Sequence, residues 1–282
     1  MQGEKIALVT GSSSGIGFET ALLLSRNGFY TYASMRNLEK SRTITEIADK
    51  ENLPLQVVQL DVNDDISVRN AINKIGVEKG RVDVLVNNAG YGLFSSIEDV
   101  TLDQIKKQFE TNFFGVIRLT KEVLPAMRKN RQGTIVNVSS AVGKVGLPLS
   151  SPYVATKFAL EGLSESMRYE LNELGINIVI VEPGVILTNA LRNAETAVYA
   201  TSDYADLNGR IMKAFEVLMD NSSPPILVAE VILKAITTNE PEVRYLVGTD
   251  AESIMKVRKS TSDKEFESWM YESIIQKKGF IR

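Results

Sequence analysis

The stretch Lys5-Ile-Ala-Leu-Val-Thr-Gly-Ser-Ser-Ser-Gly-Ile-Gly17 decides the fold of this chain. Its first residues form an apolar run that predicts a strand, and an apolar pattern of helical spacing follows the last glycine. Between the two lies a glycine turn, so the first backbone N–H groups of the helix face whatever the turn holds. These N–H groups and the helix dipole favour negative charge. The stretch therefore predicts a site for the pyrophosphate of a dinucleotide.

The three glycines of this turn have separate expected tasks. We expect Gly11 to allow the tight turn, Gly15 to let the backbone approach the phosphates, and Gly17 to let helix and strand pack closely. Their spacing, T-G-x-x-x-G-x-G, departs from the general G-x-G-x-x-G fingerprint. From this stretch alone, a glycine turn that serves only the fold stays open.

The rest of the chain alternates between strand and helix patterns. Further predicted strands cover residues 29–35, 55–60, 82–90, 133–140, 176–182 and 243–248. Predicted helices cover residues 39–50, 66–75, 102–130, 152–174 and 228–236. Near-continuous apolar strands are typical of a parallel sheet buried between helices. The pattern predicts an α/β fold of the Rossmann type, a doubly wound parallel seven-stranded sheet with helices on both faces. We expect one domain over 1–282, with a substrate lid at 189–223 and a C-terminal extension at 249–282.

Two absent residue types narrow the chemistry. The 282 residues include no cysteine and no histidine, which excludes disulfides, thiolate nucleophiles, Cys/His zinc sites and a Ser-His-Asp triad. Proton transfer must then rely on Tyr, Lys, Asp, Glu or Ser, and we predict no metal site.

Charge and hydropathy limit the partners. The net charge is −3 and the Lys and Arg residues are scattered, so we expect no nucleic-acid partner. The apolar runs have the length of strands, which predicts no membrane partner. The N-terminal residues lead directly into the first strand and leave no room for a signal peptide, so we expect a cytoplasmic location.

The end of the second predicted strand bears on the cofactor. An acid at this position grips the ribose 2′-hydroxyl of NAD, but the chain has Met35 here and Arg36 next. A guanidinium without a nearby carboxylate favours a 2′-phosphate, because Arg pairs with phosphate through two hydrogen bonds. Ser12 would add a hydroxyl contact. We therefore predict NADP(H), with NAD(H) possible; the alternative is that Arg36 merely opens the next helix at the surface.

The stretch Tyr153-Val-Ala-Thr-Lys157 carries the candidate chemistry. Its two ends are i and i+4 on a predicted helix, so their side chains share a face. A nearby ammonium favours phenolate, so we expect it to pull the pKa of Tyr153 below its usual ~10. Ser140 precedes this helix at the end of a predicted strand. Taken alone, a Tyr-x-x-x-Lys pair is more often an ordinary surface pair.

Together these motifs resemble the short-chain dehydrogenase/reductase family over residues 5–250. The resemblance rests on the glycine turn, Asp61-Val62, Asn87-Asn88-Ala89-Gly90, Ser140, the Tyr-x-x-x-Lys pair and Pro183-Gly184-x-Ile186-x-Thr188. It implies an oxidoreductase in which Tyr153 donates and accepts the proton and Lys157 lowers the pKa of Tyr153 and holds the nicotinamide ribose. Ser140 would orient the substrate carbonyl, and Asn112 would support a water relay to Lys157.

The same resemblance implies the cofactor contacts. Asp61 and Val62 would contact the adenine, residues 88–90 would line the nicotinamide side, and the turn after residue 182 would hold the carboxamide and phosphates. The full predicted set is Gly11, Ser12, Ser14, Gly15, Ile16, Gly17, Arg36, Asp61, Val62, Asn88, Ala89, Gly90, Tyr153, Lys157, Pro183, Gly184, Ile186 and Thr188.

Within the family, Met35-Arg36-Asn37-Leu38 and Lys157-Phe-Ala-Leu-Glu-Gly-Leu resemble the branch of 17β-hydroxysteroid and retinol dehydrogenases. That branch implies NADP and a lipophilic carbonyl or alcohol substrate. Six apolar residues would form a pocket wall beside Ser140 or belong to the core: Leu93, Phe94, Val142, Val145, Leu147 and Leu149. The helices at 102–130 and 152–174 are those through which family members dimerise, so we expect a homodimer or homotetramer. A non-catalytic nucleotide-binding protein, an NAD-preferring alcohol dehydrogenase and an epimerase are the alternatives.

Overall fold

A computed structural model of the chain describes residues 4–188, 195–196, 202–220 and 222–275. Its main sheet has seven strands in the order β3-β2-β1-β4-β6-β7-β9, and every pair of neighbours is parallel. The strands are β1 Lys5–Val9, β2 Phe29–Met35, β3 Leu55–Gln59, β4 Val84–Asn87, β6 Gly133–Val138, β7 Ile176–Pro183 and β9 Arg244–Val247. Two short strands, β5 Leu93–Phe94 and β8 Glu195–Thr196, pair outside it. The predicted fold class is confirmed.

Helices pack on both faces of the sheet. They are α1 Gly15–Arg26, α2 Arg42–Glu51, α3 Asp65–Lys79, α4 Leu102–Phe109, α5 Gly115–Asn130, α6 Ser151–Leu171, α7 Ala205–Asp220, α8 Pro225–Thr237, α9 Thr249–Ser260 and α10 Asp263–Met270. Because side chains alternate along a strand, neighbours such as Leu8 and Val9 enter different cores. Val9 packs in the core with Leu22 of α1 and Ile232 of α8, and Leu8 in the core under α3, α5 and α6.

The strand order places the ligand-binding edge. β1 lies between β2 and β4, so the chain builds the sheet first to one side of β1 and then to the other. The loops after β1 and β4 therefore separate at the carboxyl edge of the sheet. Open α/β sheets bind ligands in the crevice at such a point. The glycine turn follows β1, and Asn88 follows β4.

Three segments differ from the sequence-based expectation. The predicted helix 102–130 is interrupted by a π-helical segment, Glu110–Phe114, and a 3₁₀ turn, Leu38–Ser41, precedes α2. Within the predicted lid, α7 forms a regular helix of 16 residues, while residues 189–194, 197–201 and 221 lie outside the described part. Among the described residues, we find no helix with the length and apolar character that a membrane span requires.

Candidate active site

The glycine turn after β1 has the close backbone packing that a phosphate site requires. Gly11 and Gly15 have φ angles of +68° and +61°, a left-handed conformation that glycine adopts without strain. A Cβ on Gly17 would lie 2.5 Å from the Gly11 carbonyl oxygen, so only glycine lets α1 approach the turn this closely. Ser14 is the N-cap residue of α1, yet its hydroxyl makes no capping bond. That hydroxyl and the first N–H groups of α1 suit a phosphate.

Hydrogen bonds attach the loop after β4 to this turn. Thr10 Oγ1 accepts from the backbone N–H groups of Asn88 at 2.9 Å and Ala89 at 3.0 Å. In return, Asn88 Nδ2 donates to the Thr10 carbonyl at 2.8 Å. The two loops therefore form one rigid wall at the carboxyl edge of the sheet.

Ser12 does not face the cavity, in contrast to the sequence-based prediction. It is fully buried, and its hydroxyl donates to the Val9 carbonyl at 2.9 Å. Its backbone N–H also bonds across to Ser34 of β2, so the residue is turned into the sheet. Ser13 and Ser14 line the cavity in its place. The prediction of a Ser12 contact to the cofactor is wrong, because the turn directs that side chain inward.

Three more predicted cofactor residues, Gly17, Asp61 and Val62, do not line the cavity. Gly17 packs against Gly11, and the Val62 side chain would be 2.9 Å from a Cβ on Gly115. Asp61 Oδ1 accepts from the Asn63 N–H at 3.0 Å. The adenine contact assigned to Asp61 and Val62 stays a prediction.

A continuous cavity of about 470 Å³ joins the other predicted residues. One end is formed by Gly11, Ser13, Ser14, Gly15, Ile16 and Arg36. The middle is formed by Asn88, Ala89, Gly90, Ser140, Tyr153, Lys157, Pro183, Gly184, Ile186 and Thr188. The apolar part of the lining, called the apolar end below, includes Phe94, Val142, Leu147, Phe215, Leu218 and Ile254.

The proposed pocket wall of six apolar residues divides between cavity and core. Phe94, Val142 and Leu147 line the cavity. Leu93 is fully buried, and Val145 packs in a separate core cluster with Ile254, Met255 and Phe266. Leu149 is not a wall residue; its carbonyl accepts a 2.8 Å bond from the Ser95 N–H.

Ser140, Tyr153 and Lys157 meet in the middle of the cavity. The Ser140 hydroxyl donates to the Pro183 carbonyl at 3.2 Å and accepts from the Val142 N–H at 3.3 Å. Lys157 Nζ donates to the Val138 carbonyl at 2.9 Å and lies 5.7 Å from the centre of the Tyr153 ring. The phenol, the hydroxyl and the ammonium thus converge from α6 and the end of β6.

Burial governs the protonation of this group. It raises the pKa of Tyr153 to about 12, although interaction with the Ser140 hydroxyl acts in the opposite direction. It lowers the pKa of Lys157 to about 8, against the effect of the Glu161 carboxylate. The expectation that the ammonium pulls the tyrosine pKa below its usual value is wrong for this structure. The reason is that the amine bonds to the Val138 carbonyl and desolvation dominates at the phenol.

Asn112 lies in the π-helical segment and contacts helix α6 and the loop after β4. Its Oδ1 accepts from the Tyr91 N–H at 3.0 Å, and its Nδ2 donates to the Tyr91 carbonyl at 3.0 Å and to Thr156 Oγ1 at 3.2 Å. Thr156 in turn donates to the Tyr153 carbonyl at 2.7 Å. The amide side chain therefore ties the loop after β4 to α6. Single-turn π segments are frequent at functional sites. The water relay assigned to Asn112 stays a prediction.

The sequence reasoning missed Asp250. Its carboxylate lies at the cavity and accepts from the Val185 N–H at 2.6 Å. A Cβ on Gly184 or Gly248 would lie 2.2 Å or 2.6 Å from it, so both glycines make room for this side chain. An acid in the first helical turn after β9, at the carboxyl edge of the sheet, is the signal that would have indicated it. Phe215 and Leu218 of α7 were missed as well.

Comparison with known proteins identifies the family. Residues 5–198 match the family model described as short chain dehydrogenase. That range covers more than half of the 282 residues. The chain belongs to the short-chain dehydrogenase/reductase family and is an oxidoreductase.

Two curated relatives cover most of the chain. A 3-ketodihydrosphingosine reductase of Bacteroides thetaiotaomicron is 38% identical over 246 residues, which is 86% of this chain and 88% of the relative. A retinol dehydrogenase 8 of Bos taurus is 39% identical over 257 residues, which is 87% of this chain and 82% of the relative. The resemblance to retinol dehydrogenases within the family is thereby confirmed.

Solved structures agree with the fold. A short-chain dehydrogenase from Streptomyces avermitilis matches with a TM-score of 0.84 and 30% identity, over 98% of this chain and 99% of the other. A variant of actinorhodin polyketide ketoreductase with NADPH matches with a TM-score of 0.77 and 28% identity, over 89% and 98%.

Proposed function

We propose that this protein is an NADP(H)-preferring oxidoreductase that interconverts a carbonyl and an alcohol on a lipophilic substrate, with Tyr153 as the general acid and base. One observation carries the proposal. A single cavity runs from the glycine turn and Arg36, past Ser140, Tyr153 and Lys157, to an apolar end. Cofactor, proton donor and substrate would therefore meet in one space.

The residues at the first end fit a nicotinamide dinucleotide phosphate. The left-handed glycines at 11 and 15 keep the turn free of side chains, and the Ser14 hydroxyl and the α1 N-terminus suit the pyrophosphate. Arg36 is exposed at the cavity, and Met35 beside it is buried, so no carboxylate at that position opposes a 2′-phosphate. A related ketoreductase was solved with NADPH, which supports the preference.

When bound, the cofactor supplies or accepts the hydride. In reduction, the Tyr153 phenol would protonate the substrate oxygen while Ser140 holds that oxygen in place. With its pKa raised to about 12, the phenol keeps its proton at neutral pH and is ready to act as the acid. At pH values below its pKa of about 8, Lys157 is protonated. It would then present a positive charge to the Tyr153 ring and to the nicotinamide ribose. In oxidation the same groups would act in reverse.

The apolar end of the cavity suits a lipophilic substrate. Phe94 of β5 and Phe215 of α7 form an edge-to-face pair with ring centres 5.2 Å apart. Phe94 lies in the connection that follows β4, and Phe215 lies in the segment predicted as a lid. Two relatives bear the names of enzymes for lipophilic molecules, a 3-ketodihydrosphingosine and a retinol. We propose that α7 closes over the substrate as part of the lid at 189–223.

We propose one domain over 1–282 with the C-terminal extension at 249–282, whose described part supplies Asp250 and Ile254 to the cavity. We propose a homodimer or homotetramer that covers the exposed apolar residues of α4 to α6, such as Leu102 and Tyr169. Light scattering of the purified protein tests the assembly. Cell fractionation tests the predicted cytoplasmic location.

Titration of the purified protein with NADPH and NADH, followed by nicotinamide fluorescence, tests the cofactor proposal. We expect tight binding of NADPH and weak binding of NADH. The reverse order would favour the NAD-preferring alcohol dehydrogenase. Binding of neither would favour the non-catalytic alternative. Cofactor that stays bound through purification without net turnover would favour an epimerase.

A further inference from the structure

A buried group of charged side chains, one helical turn after Lys157, has no assigned role in the proposed reaction. Glu161 follows Lys157 by one turn of α6, and Glu182 lies near the end of β7. Their exposed fractions are only 3% and 2%. Arg244 of β9 contacts both carboxyl groups: its Nε lies 3.1 Å from Glu161 Oε2 and 3.3 Å from Glu182 Oε1. Two acids therefore share one guanidinium nitrogen in the protein interior.

The burial of these two acids favours the protonated form of one of them, Glu182. Burial, and then the neighbouring Glu161 carboxylate, raise the pKa of Glu182 to about 7. Interaction with the Glu161 side chain also contributes to this raised pKa, and a hydrogen bond between two carboxyl groups needs a proton on one of them. Within the part of the chain that the structure describes, Oε1 of neither glutamate accepts a hydrogen bond, although Oε1 of Glu182 forms the 3.3 Å ion pair with Arg244. A proton on Glu182 would allow a hydrogen bond between the two carboxyl groups.

The other charged groups that act on this pair come from three elements. From β9, Arg244 also donates to Oε2 of the exposed Glu165 at 2.8 Å. Lys144, which follows the short turn 141–143, acts on Glu182 through its positive charge. From α6, Lys157 precedes Glu161 by four residues, so these two buried side chains lie on the same face of the helix. Burial lowers the pKa of Lys157, and the Glu161 carboxylate is the charge that raises it.

We propose that Glu161 is a positioning residue for the reaction: its carboxylate is the counter-charge that keeps the buried Lys157 protonated, and Arg244 together with a protonated Glu182 holds that carboxylate in place. The inference rests on the proposed function, in which the Lys157 ammonium binds the nicotinamide ribose. Lys157 contributes to cofactor binding only while it carries its proton. The state of Glu161 then sets the pH range over which the site binds NADPH.

The test compares NADPH affinity as a function of pH in the unaltered protein and in two variants. Glu161→Gln removes the counter-charge at constant shape, while Glu165→Gln removes a carboxylate from the same helix and the same arginine. In the unaltered protein, NADPH affinity should fall at alkaline pH around a midpoint. We expect this midpoint to lie about one pH unit lower in Glu161→Gln. In Glu165→Gln we expect it to stay in place. Nicotinamide fluorescence measures both without a substrate.

The outcomes separate this inference from the proposed function. An unchanged midpoint in Glu161→Gln, with normal NADPH binding by the unaltered protein, would overturn the inference alone. Failure of the unaltered protein to bind NADPH would overturn both. If Glu161→Gln does not fold, Glu161→Asp serves in its place: it keeps the charge, so we expect a midpoint near that of the unaltered protein. A midpoint lowered by a full unit in that variant would show that the charge is not what matters.

Glu182→Gln tests the proton on the second acid. Because the folded-state pKa of Glu182 is raised, its contribution to stability is present below its ordinary pKa and is lost as the pH rises through about 7. Glutamine cannot ionise. We therefore expect the melting temperature of Glu182→Gln not to show the decrease that ionisation of Glu182 causes in the unaltered protein as the pH rises. A melting temperature that falls with pH in parallel with the unaltered protein would overturn the assignment of the proton to Glu182.

Discussion

The backbone N–H of Val185 donates a 2.6 Å hydrogen bond to Oδ2 of Asp250, which joins the turn after β7 to the first turn of α9. In the same turn, the Pro183 carbonyl accepts from the Ser140 hydroxyl. The carboxylate thus supports the backbone that holds the hydroxyl proposed to orient the substrate. Asp250 lies beyond residues 5–198, the range matched by the family model.

Replacement of Asp250 by alanine should destabilise the protein and weaken NADPH binding. The variant loses a charge-assisted hydrogen bond to a buried turn, so we expect the free energy of unfolding to fall by about 1–3 kcal/mol. Asp250→Asn keeps an acceptor oxygen and should lose less. Urea denaturation and NADPH titration measure the two effects. The control is Glu252→Ala, which removes an exposed acid from the same helical turn. Equal stability of Asp250→Ala and Glu252→Ala would contradict the role of Asp250.

Glycine-to-alanine exchange should have opposite effects at two positions. Gly17→Ala places a Cβ 2.5 Å from the Gly11 carbonyl, and we expect it to cost about 3 kcal/mol or to prevent folding. Gly76 lies in α3, where a Cβ would meet nothing within 4 Å. Gly76→Ala should stabilise the protein by about 0.5–1 kcal/mol through helix propensity. Thermal unfolding of both variants measures these changes in stability. A Gly17→Ala protein as stable as the unaltered one would contradict the close packing of α1 on the turn.

Arg36→Ala should weaken the binding of NADPH far more than that of NADH. Loss of charge-assisted hydrogen bonds to a 2′-phosphate corresponds to an affinity loss of about 10- to 100-fold, whereas NADH has no such group. Fluorescence titration with each cofactor measures the ratio. Arg42→Ala provides the control, because that arginine is exposed and pairs with Glu46 of its own helix. An equal loss for both cofactors would mean that Arg36 does not read the phosphate.

Shortening Phe215 should affect substrate binding more than the chemical step. Its ring pairs with that of Phe94 in the apolar lining of the cavity and carries no group that transfers a proton. Phe215→Ala should therefore raise KM for a lipophilic ketone about 10-fold or more with a smaller change in kcat. Met212→Ala on the exposed side of α7 is the matched control. Steady-state kinetics separate the two constants. A fall in kcat at constant KM would place Phe215 outside the substrate pocket.

The sheet was predictable because its strands are apolar runs that end in glycine or small polar residues. β2 agrees with its predicted range 29–35, and the other strands differ at their ends. The order of the strands was not predicted and comes from the structure. Sequence also placed Ser140, Tyr153 and Lys157 together, since each lies on a regular element at the same edge of the sheet.

Features that depend on distant contacts were not predictable. The π segment around Asn112 has an apolar pattern close to that of an α-helix, and its side chain bonds to Tyr91, a residue of a different loop. In α7 only Ile211 is buried, because Phe215 faces the cavity, so the helical pattern is weak. The raised pKa of Tyr153 comes from burial by the whole fold, which the Tyr-x-x-x-Lys spacing does not contain.

The most direct test of the account is turnover of NADPH by the unaltered protein and by Tyr153→Phe. A panel of lipophilic ketones and aldehydes serves as substrates, and the loss of NADPH absorbance is followed. We expect the unaltered protein to oxidise NADPH with at least one member of the panel. Tyr153→Phe should bind NADPH normally yet lose turnover by about 100-fold or more, because it lacks the proton that the substrate oxygen must receive. Comparable turnover by Tyr153→Phe would contradict the assignment of Tyr153 as the acid and base.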